Sequence, residues 1–234
     1  MGSEAVKINN RKTNNKKPLG ITAYEKIYEK IIALEYKPGQ TLEVNQVMSH
    51  VGLGRTPVRE ALLRLVGEKI VESQPGKGFM VPSITLQNTK ATFEMMKILE
   101  NGASELAVRQ DATLFLPKLE KANEDIKAAI DAMDVLSLVK SNHEFHLNFA
   151  QCSYNEYLVR WINEIRSEAK RLSYLSYSHE IDSSKSLKAH YDSIIQEHED
   201  IITYLKERDE SKLKRTILEH IETFQRRIIL YMSS

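Results

Sequence analysis

The stretch Gly52-Leu53-Gly54-Arg55-Thr56-Pro57-Val58-Arg59-Glu60-Ala61-Leu62-Leu63-Arg64-Leu65 decides the fold of this chain. Val58, Ala61, Leu62 and Leu65 recur at helical spacing and form an inward stripe, which leaves Arg55, Arg59 and Arg64 pointing outward. Thr56 is expected to cap the helix through its hydroxyl, and Pro57 suits a first helical position, where the missing N–H has no partner to lose. A second short helical stretch, Val44 to His50, lies just upstream and is joined to the first through Val51-Gly52-Leu53-Gly54. Helix, glycine-containing turn, helix is the helix-turn-helix arrangement. The planar fork of arginine grips phosphate or reads guanine O6 and N7, and the amino end of a recognition helix enters the major groove. Outward arginines on an isolated helix would fit a solvated face equally well; the turn, the cap and the wing that follows weigh against it here.

Upstream, Ile21, Tyr24, Ile27, Ile31 and Leu34 predict a first helix, which Lys37-Pro38-Gly39 stops. Residues 1–17 are polar and basic (Lys7, Arg11, Lys12, Lys16, Lys17) and read as a disordered arm. Downstream, Ile70-Val71-Glu72-Ser73 and Gly78-Phe79-Met80-Val81 flank Gln74-Pro75-Gly76-Lys77, which predicts a hairpin with a basic tip. Residues 18–83 thus form one winged domain, and 84–87 read as its linker. From residue 88 to 234 only helical periodicity remains. Six helices are expected, over about 88–109, 113–132, 134–151, 155–177, 184–208 and 210–232, and their short turns imply antiparallel neighbours. The fold class is therefore mostly α: an N-terminal winged helix-turn-helix with a small β-hairpin wing, then an all-α antiparallel six-helix bundle.

With 234 residues, the chain is long enough for two such domains, each with its own core. No stretch approaches the roughly 18 apolar residues a membrane helix needs, and the N-terminus has no apolar signal core, so a soluble, cytoplasmic protein is expected. The single cysteine, Cys152, excludes an intramolecular disulfide and a zinc ribbon. Charge is unevenly spread. Residues 1–84 hold 13 Lys+Arg against 8 Asp+Glu, a net of +5, whereas residues 85–234 hold 20 against 24, a net of −4. A basic end on an acidic remainder suits a chain whose N-terminal part meets a polyanion.

The stretch from about Thr22 to Ser83 resembles the DNA-binding domain of the GntR family. The resemblance is carried by Lys37-Pro38-Gly39-Gln40-Thr41-Leu42, Arg55-Thr56-Pro57-Val58-Arg59-Glu60-Ala61-Leu62 and Gly76-Lys77-Gly78, in that order. It implies DNA contacts at Arg55, Thr56 and Arg59 and at the wing tip Gly76, Lys77 and Gly78; Arg64 joins them from its outward position. Gly54 departs from the family, which usually has Ser or Thr there. The resemblance also implies double-stranded operator DNA with two-fold symmetry and a homodimer, since one recognition helix spans few base pairs and two linked half-sites multiply affinity.

Three of the seven histidines fall on apolar helical faces: His146 near Phe149 and Ala150, His198 among Ile194, Ile195, Ile201 and Ile202, and His220 beside Ile217 and Phe224. A single buried histidine more often satisfies a core hydrogen bond than binds metal. Three from different helices, with Asn142 one turn before His146, make a site for zinc, nickel or manganese. His50, His143 and His179 read as surface or turn residues.

Residues 88–232 resemble the FCD ligand-binding domain of the FadR subfamily, on Lys97-Ile98-Leu99-Glu100, Asn142-His143-Glu144-Phe145-His146, Tyr154-Asn155-Glu156-Tyr157-Leu158, Glu197-His198 and Arg208-Asp209. That resemblance implies a metal held by Asn142, His146, His198 and His220, with Asn142 replacing the usual Asp. Six helices would place the chain nearest the VanR-like branch. Lys97 stands where the family commonly has an effector-binding Arg, although an ordinary solvated lysine explains it equally well; Arg166 and His190 are further candidates for the effector pocket. The implied function is a repressor released or modulated by a small carboxylate effector bound at the metal. A metal-activated hydrolase is the rival reading, in which a winged helix would be idle; an architectural DNA-binding protein whose second domain only dimerises is another.

Overall fold

A computed structural model describes residues 17–76, 78–181 and 185–233; the basic arm 1–16 and Lys77 of the wing lie outside the described residues. The N-terminal domain runs α1 (Leu19–Ile32), β1 (Thr41–Leu42), α2 (Val44–Val51), α3 (Arg55–Gly67), β2 (Glu72–Gln74) and β3 (Gly78–Met80). Its core is one cluster, in which Ala23, Ile27 and Ile31 of α1 meet Val58, Ala61, Leu62 and Leu65 of α3. The turn before α3 works through glycine: Gly52 closes α2 in the left-handed region at φ 69°, where a side chain would be strained.

Two details of this domain differ from the sequence reading. The recognition helix begins at Arg55, with Gly54 as its cap and no side-chain capping bond, so Thr56 is the second helical residue and Pro57 the third. Pro57 still forfeits nothing, because the first-turn N–H groups lack helical partners. The wing is also a three-stranded antiparallel sheet in the order β1-β3-β2, with Leu42 opposite Phe79 and Ser73 opposite Phe79 on the other side. Strand β1 has two residues, too few for an alternation to register.

The C-terminal domain comprises α4 (Leu86–Ala107), α5 (Leu116–Asp131), α6 (Val135–Gln151), α7 (Glu156–Glu168), α8 (Lys170–Ser178), α9 (Leu187–Glu207) and α10 (Glu210–Ser233). Helix α4 starts inside the stretch read as a linker, capped by the Thr85 hydroxyl, which accepts from the Asn88 N–H. The segment read as a single helix over 155–177 is broken at Ala169. The bundle therefore has seven helical segments among the described residues, and the count of six that pointed to the VanR-like branch is not what the structure has. No glycine or proline lies at the break; its halves answer to different partners. Arg166 of α7 turns into the bundle, whereas Lys170 and Arg171 of α8 turn to the N-terminal domain. No helix is long and apolar enough to cross a membrane among the described residues.

The two domains touch. Lys170 lies over the Tyr28 ring of α1, Arg171 Nη1 donates to the Pro82 carbonyl at 2.5 Å, Lys69 pairs with Glu164 at 3.0 Å, and Ile32 packs into the bundle core. At the far end of α9, exposed Arg208 adopts φ 58° to end the helix, and Asp209 caps α10 through the Lys212 N–H. A non-glycine residue pays about 1–2 kcal/mol in that region. Arg208→Gly is therefore expected to stabilise the intact protein by up to ~1 kcal/mol after the entropy of glycine is counted, read as a higher urea midpoint, with no change in ligand or DNA binding.

Candidate metal centre and nucleic-acid interface

On the N-terminal domain, Arg55, Thr56 and Arg59 are all exposed at the amino end of α3. Arg55 donates to Asn45 Oδ1 of α2 at 3.2 Å, which fixes its stem, while Arg59 has no ion-pair partner among the described residues. Arg64 is exposed but engaged: its guanidinium lies 3.8 Å over the Tyr24 ring and its Nε donates to Glu68 at 3.0 Å. At the wing, Gly76 (φ 74°) and Gly78 (φ 89°) both lie in the left-handed region, and Lys77 is outside the described residues.

In the bundle, three histidines meet. His146 comes from the inward stripe of α6, His198 from the Ile194, Ile201, Ile202 and Leu205 face of α9, and His220 from the Leu213, Ile217, Ile221 and Phe224 face of α10. All are buried, and one ring nitrogen from each lies within 4.8 Å of the others. Phe145 stacks flat on the His198 ring with centroids 3.8 Å apart, which sets the plane of that imidazole.

The far side of every ring faces an oxygen. Glu197 Oε2 lies 2.6 Å from His220 Nδ1, Asn123 Oδ1 lies 3.3 Å from His198 Nδ1, and Glu100 Oε2 lies 3.2 Å from His146 Nδ1, though off line for a full hydrogen bond. An ionised carboxylate only accepts, so His220 must donate through Nδ1, and a neutral ring then presents a bare Nε2. His146 Nε2 faces that atom at 3.2 Å. With both Nδ1 atoms protonated, two lone pairs oppose each other; with the His146 proton on Nε2, a lone pair instead faces Glu100. A positive charge at the centre, whether a metal ion or an added proton, relieves either conflict.

Two further atoms favour a metal. His198 Nε2 and Asn142 Oδ1 are both buried and have no hydrogen-bond partner. Three imidazoles and an amide oxygen are a donor set that suits a divalent transition ion, and a buried polar atom without a protein partner calls for an ion or a water. Burial pushes the His146 ring down to about 3, aided by Arg166, and pushes His198 well below its ordinary value, so both are neutral ligands at ordinary pH.

Behind His146 sits Glu100, a carboxylate with no exposure, held bidentately by Arg166 at 2.6 and 2.7 Å. Burial alone would raise its pKa, but Arg166 and then His146 hold it well below the carboxylate range. Glu100, Glu197 and Asn123 were not singled out in the sequence. Glu100 and Glu197 each lie in a stretch that resembles the FCD domain, and Glu100 is also the one charged position on the Phe93, Met96, Ala103, Ala107 stripe of α4.

Asn142, Arg166, His190, Glu197 and His220 line one narrow cleft of about 10 Å³, room for about one water. His190 contributes an unpartnered, buried Nδ1. Lys97 lies elsewhere, partly exposed and paired with Glu222 at 3.2 Å. His143 is a correction: it is buried and 3.0 Å from Asn163 Oδ1, because α6 is covered by α5, α7 and α8 and so has a much wider inward face than one apolar stripe.

Removing Arg166 would strand the Glu100 charge. Arg166→Met is expected to lower unfolding stability by about 3–5 kcal/mol, and adding Glu100→Gln to restore much of it, as measured by urea denaturation of both variants without metal.

The chain matches two families: "Bacterial regulatory proteins, gntR family" over residues 20–81 and the FCD domain over residues 91–223. Among curated relatives, it is 22% identical to the HTH-type transcriptional regulator YdhC of Bacillus subtilis over 204 residues, covering 87% of this chain and 88% of that protein. It is 25% identical to the Nta operon transcriptional regulator of Aminobacter aminovorans over 193 residues, covering 82% and 85%. In fold it is similar to Escherichia coli McbR/YncC (TM-score 0.72, 22% identity, 93% of this chain and 99% of that one). A GntR regulator from Rhodococcus sp. RHA1 is likewise similar (TM-score 0.69, 15% identity, 90% and 97%). With both domains matched in order over most of its length, the chain belongs to the GntR family of bacterial transcription regulators and carries an FCD domain.

Proposed function

We propose that this chain is a metabolite-responsive regulator, a homodimer that binds two-fold operator DNA through α3 and the wing and represses until a small organic acid enters the cleft beside the histidines. The observation that carries the reading is the set of buried imidazoles backed by Glu100, Glu197 and Asn123, with the orphaned Asn142 Oδ1 beside them. His146, His198 and His220, with Asn142, would hold a divalent zinc, nickel or manganese ion. When bound, such an ion supplies positive charge and exchangeable coordination positions to a carboxylate oxygen.

The remaining work falls to the chain itself. The cleft is too small for an organic acid as it stands, so entry requires its wall to move. Arg166 is the cation on that wall and is already bound to one carboxylate, Glu100; an acid that competes for it acts on α7 directly. One and two residues beyond Ala169, Lys170 and Arg171 touch Tyr28 and Pro82 of the DNA-binding domain. This gives a short route from cleft to operator, through a segment with two sets of partners. A hydrolase is less well supported, since both carboxylates nearest the histidines are engaged and neither stands free as a base.

On DNA selected from a random pool, Arg59→Ala is expected to weaken specific binding by about 10–100-fold while leaving stability unchanged, the loss of one good base contact. Full affinity at physiological salt would remove Arg59 from the interface. His198→Ala is expected to abolish stoichiometric zinc or nickel binding, lower the melting temperature of metal-supplemented protein, and make DNA affinity insensitive to organic acids. Metal analysis, thermal shift and fluorescence anisotropy check the three effects, and a variant with full metal occupancy would overturn the ligand assignment.

A further inference from the structure

The ligand set read above contains no negative charge. Three neutral imidazoles and an amide would take a divalent cation out of water with nothing in contact to offset it. Two carboxylates lie one ring further out. Glu100 is already matched by the bidentate Arg166 guanidinium, so that pair brings almost no net charge. Glu197 is different: its Oε2 lies 2.6 Å from His220 Nδ1, and it has no Lys or Arg partner among the described residues. It also lines the cleft with Asn142.

Resting on the metal reading of His146, His198 and His220, we propose that Glu197 is the charge-bearing positioning residue of the centre. It holds the Nδ1–H of His220, turns the Nε2 lone pair inward, and lends through that ring the negative charge that an aspartate at position 142 would have supplied directly. A carboxylate hydrogen-bonded behind an imidazole makes the ring a stronger donor and fixes its tautomer, and losing such a partner lowers metal affinity by about 10–100-fold. The charge is moved one residue outward rather than lost.

The test is zinc affinity of the full chain at fixed pH, measured by competition with a chelating dye, for wild type, Glu197→Gln, Asn142→Asp and the double variant. Glu197→Gln keeps an oxygen to accept from His220 and removes only the charge. It is expected to bind zinc about 10–100-fold more weakly, with an unchanged metal-free melting curve. Asn142→Asp, which puts a charge into the ligand set itself, is expected to bind more tightly than wild type, and the double variant to recover most of the loss. A purely structural role for Glu197 would not be rescued from position 142. Wild-type affinity in Glu197→Gln, or no recovery in the double variant, would overturn the inference while leaving the centre itself intact. Should Glu197→Gln fail to fold, Glu197→Asp takes its place: it keeps the charge but draws the carboxylate back from His220 Nδ1, and wild-type zinc affinity in it would overturn the inference. Wild-type protein that binds neither zinc nor nickel would overturn the metal reading and this inference together.

Discussion

A carboxylate shut away from water has to be matched, and Glu100 is matched by the Arg166 guanidinium on one side and approached by His146 on the other. That requirement brings α4, α6 and α7 to one point inside the bundle. Beyond Ala169 the chain takes a new direction as α8, whose first residues, Lys170 and Arg171, reach the Tyr28 ring and the Pro82 carbonyl of the other domain. The contacts to the DNA-binding domain thus follow within five residues of a charge pair deep in the other core. Buried pairs of this kind add little net stability over an apolar pair, but breaking one is strongly destabilising. Such an interaction suits a switch better than it suits a scaffold.

The histidines impose a second condition. Each ring has an oxygen behind it: Glu197 for His220, Asn123 for His198 and, off line, Glu100 for His146, with Phe145 stacked on His198. With the outer nitrogens protonated, the inward nitrogens crowd together as lone pairs, a conflict that a cation relieves. Because the rings come from α6, α9 and α10, they meet only when the bundle is folded, and an ion bound there would stabilise the same packing that positions Arg166.

Much of this was legible in the residues. The stripe Val58, Ala61, Leu62, Leu65 placed α3 and left Arg55 and Arg59 outside, because a helix of a small domain buries one face only. His146, His198 and His220 could be brought together because each sat on an apolar face, and a polar ring there must find a partner. What escaped notice depends on tertiary contacts. The break at Ala169 has no local signature, strand β1 is two residues long, and the burial of His143 follows from α6 being covered on several sides. The start of α3 at Arg55 rather than after Thr56 reflects a cap without a side chain, since Gly54 supplies only backbone. Glu197 stood in a stretch that resembles the FCD domain, but its contact with His220 was not legible, as an acidic residue beside a histidine usually faces solvent.

Amide hydrogen exchange of the intact chain, with and without zinc, tests most directly whether the histidine centre and the DNA-binding domain are one system. The account predicts slower exchange in the turns of α6, α9 and α10 that carry His146, His198 and His220, extending through Ala169–Leu172 to the Tyr28 turn of α1. Protection confined to the three histidine turns would contradict the coupling, and no protection at those turns would contradict the centre itself.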